Sequence, residues 1–172
     1  TDPMVGKATT ALGQVLYEQG TYDKAVPVLQ EAVRLQTRGD TASPALASAL
    51  TDLANTYFYL GKFALSDTLN QRALAIDKEL YGPRHAYVAD VLINLGAIRF
   101  EWAKYPEAER YYREALEINR SWYGPNHQET GSNLTALGRA LASEQKLVEA
   151  DTVLRQALDV LDHLPLALAV KV

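Results

Sequence analysis

Residues 80–85 read Leu-Tyr-Gly-Pro-Arg-His, and 42 residues later residues 122–127 read Trp-Tyr-Gly-Pro-Asn-His. The same shift carries the pair Leu95-Gly96 onto Leu137-Gly138. A period of this length is typical of stacked helical units, none of which can bury its apolar face alone. The repeat therefore indicates an all-α solenoid, and it directs the search for function to a binding surface.

Small residues divide the chain into four units of two helices each. The anchor residues of the first helices are Gly13, Ala54, Gly96 and Gly138. The breaks between the two helices follow at Gly20, Gly61, Ala103 and Gln145. The pattern predicts helices at 5–19 and 23–37, 44–60 and 64–80, 86–102 and 106–121, and 128–144 and 148–162. We expect one domain over residues 1–164, with repeats at about 3–43, 44–85, 86–127 and 128–164.

The turns between units carry glycine and histidine at equivalent places. Gly82 and Gly124 each lie just past a predicted helix end and precede a proline, which favours a left-handed αL conformation. His85 and His127 each precede the next helix, so we interpret them as turn or capping residues and not as catalysts. His163 lies at the end of the last predicted helix, where a cation favours the helix dipole.

Composition excludes several classes of function. The net charge is −4, which argues against a nucleic-acid partner because such a partner needs a basic face. No apolar run approaches the roughly 20 residues of a membrane span, so membrane insertion is not expected. Cysteine is absent, which rules out disulfides and thiolate metal sites. We expect a cytoplasmic protein, with the extracytoplasmic part of a membrane-anchored signalling protein as the alternative.

The sequence offers no pattern of a catalytic or metal centre. No two histidines stand four residues apart, and the glycines do not form a phosphate-binding loop. Carboxylate pairs such as Glu107 and Glu109 have basic neighbours, which is typical of a solvated helix face. We therefore predict that the chain is not an enzyme and has no cofactor and no metal. The start at Thr1, without a methionine, suggests a fragment of a longer protein.

The pattern resembles the tetratricopeptide repeat, and its 42-residue form resembles the repeats of kinesin light chains. Residues 114–127 carry the closest likeness. The resemblance implies a right-handed superhelix of four helix-turn-helix repeats, with eight helices and a short C-terminal tail at 165–172. It also implies that the first helices line a concave groove that binds a peptide or protein segment.

The resemblance assigns particular residues to this groove. They are Lys7, Thr10, Gln14 and Tyr17 in the first unit; Thr51, Asp52, Asn55, Phe58 and Tyr59 in the second; Asp90, Ile93, Asn94 and Phe100 in the third; and Thr135 and Arg139 in the fourth. Tyr17, Phe58 and Phe100 are repeat-equivalent and would form an aromatic stripe. The stripe either supplies binding area or packs against itself. Acidic groups outnumber basic ones, so the expected ligand is an extended, mildly basic peptide with apolar anchors.

Two further hypotheses concern polar and apolar residues at unusual places. Arg99 occupies an inward position, so it needs an acceptor such as Asn70 or Asp67. The apolar residues 166–172 either cap the last helix or dock on a neighbouring copy, which would give a homo-oligomer through the C-terminal end. The alternative is a disordered remnant of a longer protein. The leading function is a non-catalytic scaffold or adaptor. A structural or oligomerising spacer and the sensory arm of a larger signalling protein are the alternatives.

Overall fold

The structure, a computed structural model, describes residues 3–37 and 42–163. This part of the chain forms eight α-helices and contains no strand, which confirms the predicted all-α class. The helices are α1 (Pro3–Glu18), α2 (Tyr22–Thr37), α3 (Pro44–Tyr59), α4 (Phe63–Tyr81), α5 (Ala86–Glu101), α6 (Tyr105–Tyr123), α7 (Gln128–Ser143) and α8 (Leu147–Asp162). The predicted tail at 165–172 lies outside the described residues.

The helices belong to two compact units. Unit 1 covers residues 1–83 and unit 2 covers residues 84–172. In unit 1 each helix from α1 to α4 packs on the next, and α1 also contacts α3. In unit 2 the helices from α5 to α8 do the same, and α5 also contacts α7. Each unit thus contains two helix-turn-helix repeats, and the extent of the predicted single domain stays a prediction.

The small anchor residues allow the two helices of a repeat to approach closely. A Cβ atom on Gly96 would lie 2.6 Å from Cε1 of Tyr112, and one on Gly138 would lie 2.6 Å from Cδ2 of Leu154. Both distances are shorter than real carbon contacts. The glycines are therefore needed because a large side chain of the second helix occupies the space that a Cβ would fill.

In the second repeat a different pair of residues occupies the same contact between the two helices. Its anchor is Ala54, and the position that corresponds to Tyr112 and Leu154 is Asn70. Asn70 is fully buried, and its Nδ2 donates to the carbonyl of Ser66 at 3.1 Å. The shorter side chain of Asn70 on the second helix leaves room for the methyl group of Ala54 on the first. This pairing explains why the repeat departs from the usual pattern.

The backbone conformation of the two glycines in the turns between repeats differs from the prediction. Gly82 and Gly124 have positive φ angles of 83° and 93°, but their ψ angles are 163° and 167°. The backbone is therefore extended on the side of the map that only glycine reaches easily, and it is not αL. The extended ψ angle leads the chain away from the helix toward the following proline.

The predicted capping role of the two histidines is confirmed. The Nδ1 atom of His85 accepts a hydrogen bond from the backbone N–H of Tyr87 at 3.2 Å, and that of His127 accepts from Glu129 at 3.2 Å. Each imidazole thus satisfies a free donor in the first turn of α5 or α7. His163 follows the end of α8, as predicted, and its ring lies 2.6 Å from the carbonyl of Asp159.

Candidate functional site

The predicted groove residues of unit 1 lie on α1 and α3, the first helices of its two repeats. Gln14 and Asp52 face each other, and Nε2 of Gln14 donates to Oδ2 of Asp52 at 2.8 Å. The hydroxyl of Ser48 also hydrogen-bonds to this carboxylate. Burial raises the pKa of Asp52 to about 6, and these two neutral donors only partly offset the effect. Asp52 is therefore a partly buried carboxylate with neutral neighbours.

A cavity of about 340 Å³ opens beside this pair. It is lined by Lys7, Thr10, Ala11, Gln14, Gln36, Pro44, Ala45 and Ser48. The sequence analysis missed Gln36, which belongs to α2, because only first helices were assigned to the groove. Its Nε2 atom is buried and has no hydrogen-bond partner. The lining of the cavity thus combines the Lys7 ammonium, the Gln14 and Gln36 amides and the Ser48 hydroxyl.

An aromatic cluster lies at the opposite end of the same helices. Tyr22 and Tyr59 stack with their ring centroids 5.2 Å apart, and Tyr17 contacts both rings at 5.6 and 5.7 Å. Phe58 packs edge-on against Tyr59 and Phe63 at 5.9 and 5.3 Å. Burial, with the neighbouring Tyr59, raises the pKa of Tyr17 well above its usual range. The rings therefore pack against one another, while Tyr59 remains 59% exposed.

Two predicted groove hydroxyls are used inside their own helices. The hydroxyl of Thr10 donates to the carbonyl of Gly6 at 3.0 Å, and that of Thr135 donates to the carbonyl of Gly131 at 3.0 Å. Thr10 is also buried. Because their protons already satisfy backbone carbonyls, these threonines offer a ligand no hydroxyl donor. Their place in the groove stays a prediction.

Two of the predicted groove residues of unit 2, Phe100 and Arg139, lie in contact. The guanidinium of Arg139, on α7, lies over the ring of Phe100, on α5, with 5.0 Å between Cζ and the ring centroid. Phe100 also packs edge-on against Tyr105 at 5.3 Å. Ile93 packs against the apolar core of this unit instead of standing free. A cation held over an aromatic face remains able to bind a carboxylate or a carbonyl.

The remaining predicted groove residues lie on the first helices of the second and third repeats. Thr51 and Asn55 lie on α3, and Asp90 and Asn94 lie on α5. Asp90 is exposed, and the other three are partly buried. Their role as ligand contacts stays a prediction.

Arg99 is buried, as its inward position predicted, and it has an acceptor within its own unit. Its Nε donates to Oε2 of Glu107, on α6, at 3.0 Å, while the side chain is only 11% exposed. The guanidinium also lies 5.0 Å from the ring of Trp102 and 5.7 Å from that of Tyr111. An ion pair and two aromatic faces thus compensate the buried charge.

A charge network in unit 2 was not found from the sequence. Burial raises the pKa of Glu109, but hydrogen bonds from Lys146, Glu144 and Arg113 outweigh it and lower the pKa to about 2. Lys146 and Arg113 each lie 2.6 Å from the Glu109 carboxylate. Burial and the neighbouring Glu109 raise the pKa of Glu144. The sequence analysis interpreted Glu109 as a solvated residue, whereas its side chain is only 13% exposed.

The described ranges contain neither a metal-binding cluster nor a membrane-spanning helix. Between residues 3 and 163, leaving out 38–41, no group of three or more His, Asp or Glu side chains could hold a metal ion. None of the eight helices is long and apolar enough to cross a membrane.

Comparison with known families identifies the repeats. A family model described as tetratricopeptide repeat matches residues 4–79, 45–121 and 103–162, and these matches together cover most of the chain. No curated protein sequence matches the chain at a significant level.

Solved structures share the fold. The chain is similar to BtubC (BKLC) from P. vanneervenii, with a TM-score of 0.82 and 25% identity over 95% of this chain and 66% of that one. It is also similar to the nearly identical TPR-like repeats of a Podospora anserina kinesin light chain-type protein, with a TM-score of 0.82 and 18% identity over 96% and 79% of the two chains. RapI in its apo form matches with a TM-score of 0.84 and 16% identity over 94% and 57%. The chain therefore spans less than two thirds of BtubC and of RapI.

Proposed function

The chain belongs to the tetratricopeptide repeat family, and we propose that it is a non-catalytic adaptor that binds an extended, mildly basic peptide along the first helices of unit 1. The observation that carries the proposal is Asp52. Keeping a carboxylate ionised in a partly buried place costs free energy, and the donors that hold it are neutral. A cationic side chain of a ligand compensates this cost.

The cavity beside Asp52 supplies the other contacts. Lys7 presents a donor to the main-chain carbonyls of an extended segment, and Gln36, whose buried amide nitrogen has no partner within the protein, lines the same cavity. Tyr59, which is 59% exposed, provides an aromatic surface for an apolar side chain of the ligand. The ligand thus combines a basic side chain with an apolar anchor. A cytoplasmic location agrees with such a role and stays a prediction.

A peptide-library screen on the whole chain tests the proposal. We expect enrichment of sequences with a lysine or arginine near an aromatic or leucine residue. Asp52→Asn keeps the shape and the Gln14 contact but removes the charge, so it should weaken binding of the selected peptides about tenfold or more. Asp23→Asn is a matched control, because Asp23 is an exposed carboxylate on α2. Selection of acidic peptides, or equal binding by Asp52→Asn, contradicts the proposal.

A second candidate is an oligomerising spacer. It is favoured by apolar residues of α1 that remain exposed, namely Val5, Leu12 and Val15. Binding of a peptide and self-association use different surfaces, so the two functions are compatible and can be tested separately.

A further inference from the structure

The two units share one pattern of aromatic packing between a first helix and the helix that follows it. In unit 1, Tyr17 packs on Tyr22 with ring centroids 5.6 Å apart and ring planes at 57°. In unit 2, Phe100 packs on Tyr105 at 5.3 Å and 60°. Tyr17 and Phe100 both lie four residues after the small anchor of their repeat. Unit 2 therefore provides an internal reference for what lies against such a ring.

In unit 2 the chain itself places a guanidinium against this ring. Cζ of Arg139, on α7, lies 5.0 Å from the ring centroid of Phe100. The residue of unit 1 that is equivalent to Arg139 is Asn55, on α3, whose side chain is shorter and carries no charge. The position from which Arg139 reaches Phe100 therefore supplies no cation to Tyr17.

Unit 1 has a carboxylate at a position where unit 2 has an alanine. Asp52 of α3 is equivalent to Ala136 of α7, and its hydrogen bonds come from neutral side chains. Burial and two neighbouring tyrosines raise the pKa of Tyr17, and the negative charge of Asp52 adds to this rise. Asp52 thus lies close enough to the Tyr17 hydroxyl to act on it electrostatically. Unit 1 therefore combines a ring and a carboxylate, and it leaves the cation to a ligand.

A third site in the chain shows which cation such surroundings accept. The side chain of Arg99 is only 11% exposed, and its guanidinium combines the Glu107 carboxylate at 3.0 Å with the rings of Trp102 and Tyr111. Lys104 also lies near Trp102, but its side chain remains 53% exposed. A guanidinium is planar and more weakly hydrated than an ammonium, and it stacks on aromatic faces. It therefore loses less hydration than an ammonium when it enters a partly buried place beside a ring.

We propose that the ligand cation at Asp52 is the guanidinium of an arginine, which lies between the Asp52 carboxylate and the ring of Tyr17. This inference rests on the adaptor function proposed above and narrows its basic ligand to peptides that contain arginine. The ligand then supplies to unit 1 the group that Arg139 supplies to unit 2. A lysine ammonium can pair with the same carboxylate, but it gives up a stronger hydration shell and has no plane to lie on the ring.

A peptide library with equal arginine and lysine frequencies at every position tests this preference on the whole chain. We expect the wild type to select arginine about tenfold more often than lysine beside the apolar anchor. Asp52→Asn removes the carboxylate and should lose this preference. Tyr17→Leu removes the ring and should bring the two residues to nearly equal frequencies. Tyr17→Phe keeps the ring and should retain the preference for arginine.

Two substitutions at Asn55 test the same geometry without a ligand. Asn55→Arg places a guanidinium at the position of Arg139 and three residues from Asp52, a spacing at which side chains on a helix meet. It should lower the pKa of Asp52 from about 6 by at least about one unit, measured by ¹³C NMR, and should block the selection of basic peptides. Asn55→Lys should lower this pKa less. Gln71→Arg adds the same charge at an exposed position of α4 and should change neither the pKa nor the selection.

The outcomes separate this inference from the adaptor function. Basic peptides that contain lysine as often as arginine, and that are lost in Asp52→Asn, overturn the inference and leave the adaptor function standing. A preference for arginine that persists in a folded Tyr17→Leu variant also overturns it, as does an equal pKa shift from the two Asn55 variants. The Asn55 pair decides the matter if Tyr17→Leu does not fold. Selection of acidic peptides overturns both the inference and the adaptor function.

Discussion

Asp52 in unit 1 and Glu109 in unit 2 are both partly buried carboxylates, yet their pKa values move in opposite directions. Burial raises the pKa of Asp52 to about 6, because Gln14 and Ser48 are neutral. The pKa of Glu109 falls to about 2, because hydrogen bonds that include Lys146 and Arg113 outweigh its burial. The same chemical group therefore has cationic partners within the protein in unit 2 and neutral hydrogen-bond donors in unit 1.

The difference separates a structural site from the proposed binding site. Glu109 has cations within 2.6 Å, so a ligand has little to add. Asp52 is held by neutral donors beside an open cavity, so a cationic ligand gains most there. Substitutions at equivalent or analogous positions of the two units sharpen this contrast.

The largest effect is expected at the position occupied by Tyr57 in unit 1 and Arg99 in unit 2. Arg99→Ala should lower the free energy of unfolding by about 3 kcal/mol, since it removes a buried side chain together with its contacts to Glu107 and two rings. Tyr57→Phe loses only the hydrogen bond from Gln30 at 2.8 Å and should cost about 1 kcal/mol. Urea unfolding measures both. Equal losses of unfolding free energy would show that the contacts of Arg99 stabilise the fold no more than the hydrogen bond of Tyr57.

Glu109→Gln should lower stability at pH 7 by about 2 kcal/mol, reduced from the full pKa effect because Lys146 and Arg113 are half exposed. The pKa of this group is lowered on folding from 4.5 to about 2. Its contribution is therefore present above pH 4.5 and is lost as the pH falls toward 2. Urea unfolding at several pH values should show the difference between wild type and variant shrinking in that range. A constant difference would mean that charge is not its cause.

Asp52→Asn should change stability at pH 7 in the opposite direction and stabilise the protein. Folding raises the pKa of Asp52 from 3.8 to about 6, so the folded state binds more protons in that range and the wild type loses stability as the pH rises through it. The variant lacks this loss and should gain about 1–2 kcal/mol at pH 7, with the gain disappearing below pH 4. Thermal melts at pH 4 and pH 7 provide the comparison. A destabilised variant at pH 7 would contradict the assignment of Asp52 as an unfavourable buried charge.

The smallest difference in stability between the two units is expected from substitutions in the turns between paired helices. Unit 1 has glycine at Gly20 and Gly61, each with a φ angle of 70°, whereas unit 2 has Ala103 and Gln145 with φ angles of 55° and 62°. Side chains are strained in this region, so Ala103→Gly should raise stability by about 1 kcal/mol and Gly61→Ala should lower it by about as much. Differential scanning calorimetry detects both shifts. No gain from Ala103→Gly would show that the turn relaxes elsewhere.

The repeat period predicts backbone features better than side-chain partners. The helix bounds, the close approach at Gly96 and Gly138, and the capping by His85 all follow from position within a period. Partner choice does not, because Lys146 lies 37 residues from Glu109 along the chain, and Glu149 lies 36 residues from Arg113. The place of Gln36 in the cavity was not predicted for the same reason, because Gln36 belongs to the second helix of its repeat. Helical spacing likewise does not show that the hydroxyl of Thr10 bonds to the preceding turn.

The most direct test of the central claim is a titration of the Asp52 side-chain carboxyl by ¹³C NMR, with and without a library-selected basic peptide. Without peptide the carboxyl should titrate near pH 6. With peptide bound, the ligand's cation should stabilise the carboxylate and lower that pKa by at least one unit, and the peptide should bind more weakly below pH 6. A carboxyl that titrates at the same pH in both samples, or one that titrates near 4 in the free protein, would contradict the account of Asp52 as the anchor for a basic ligand.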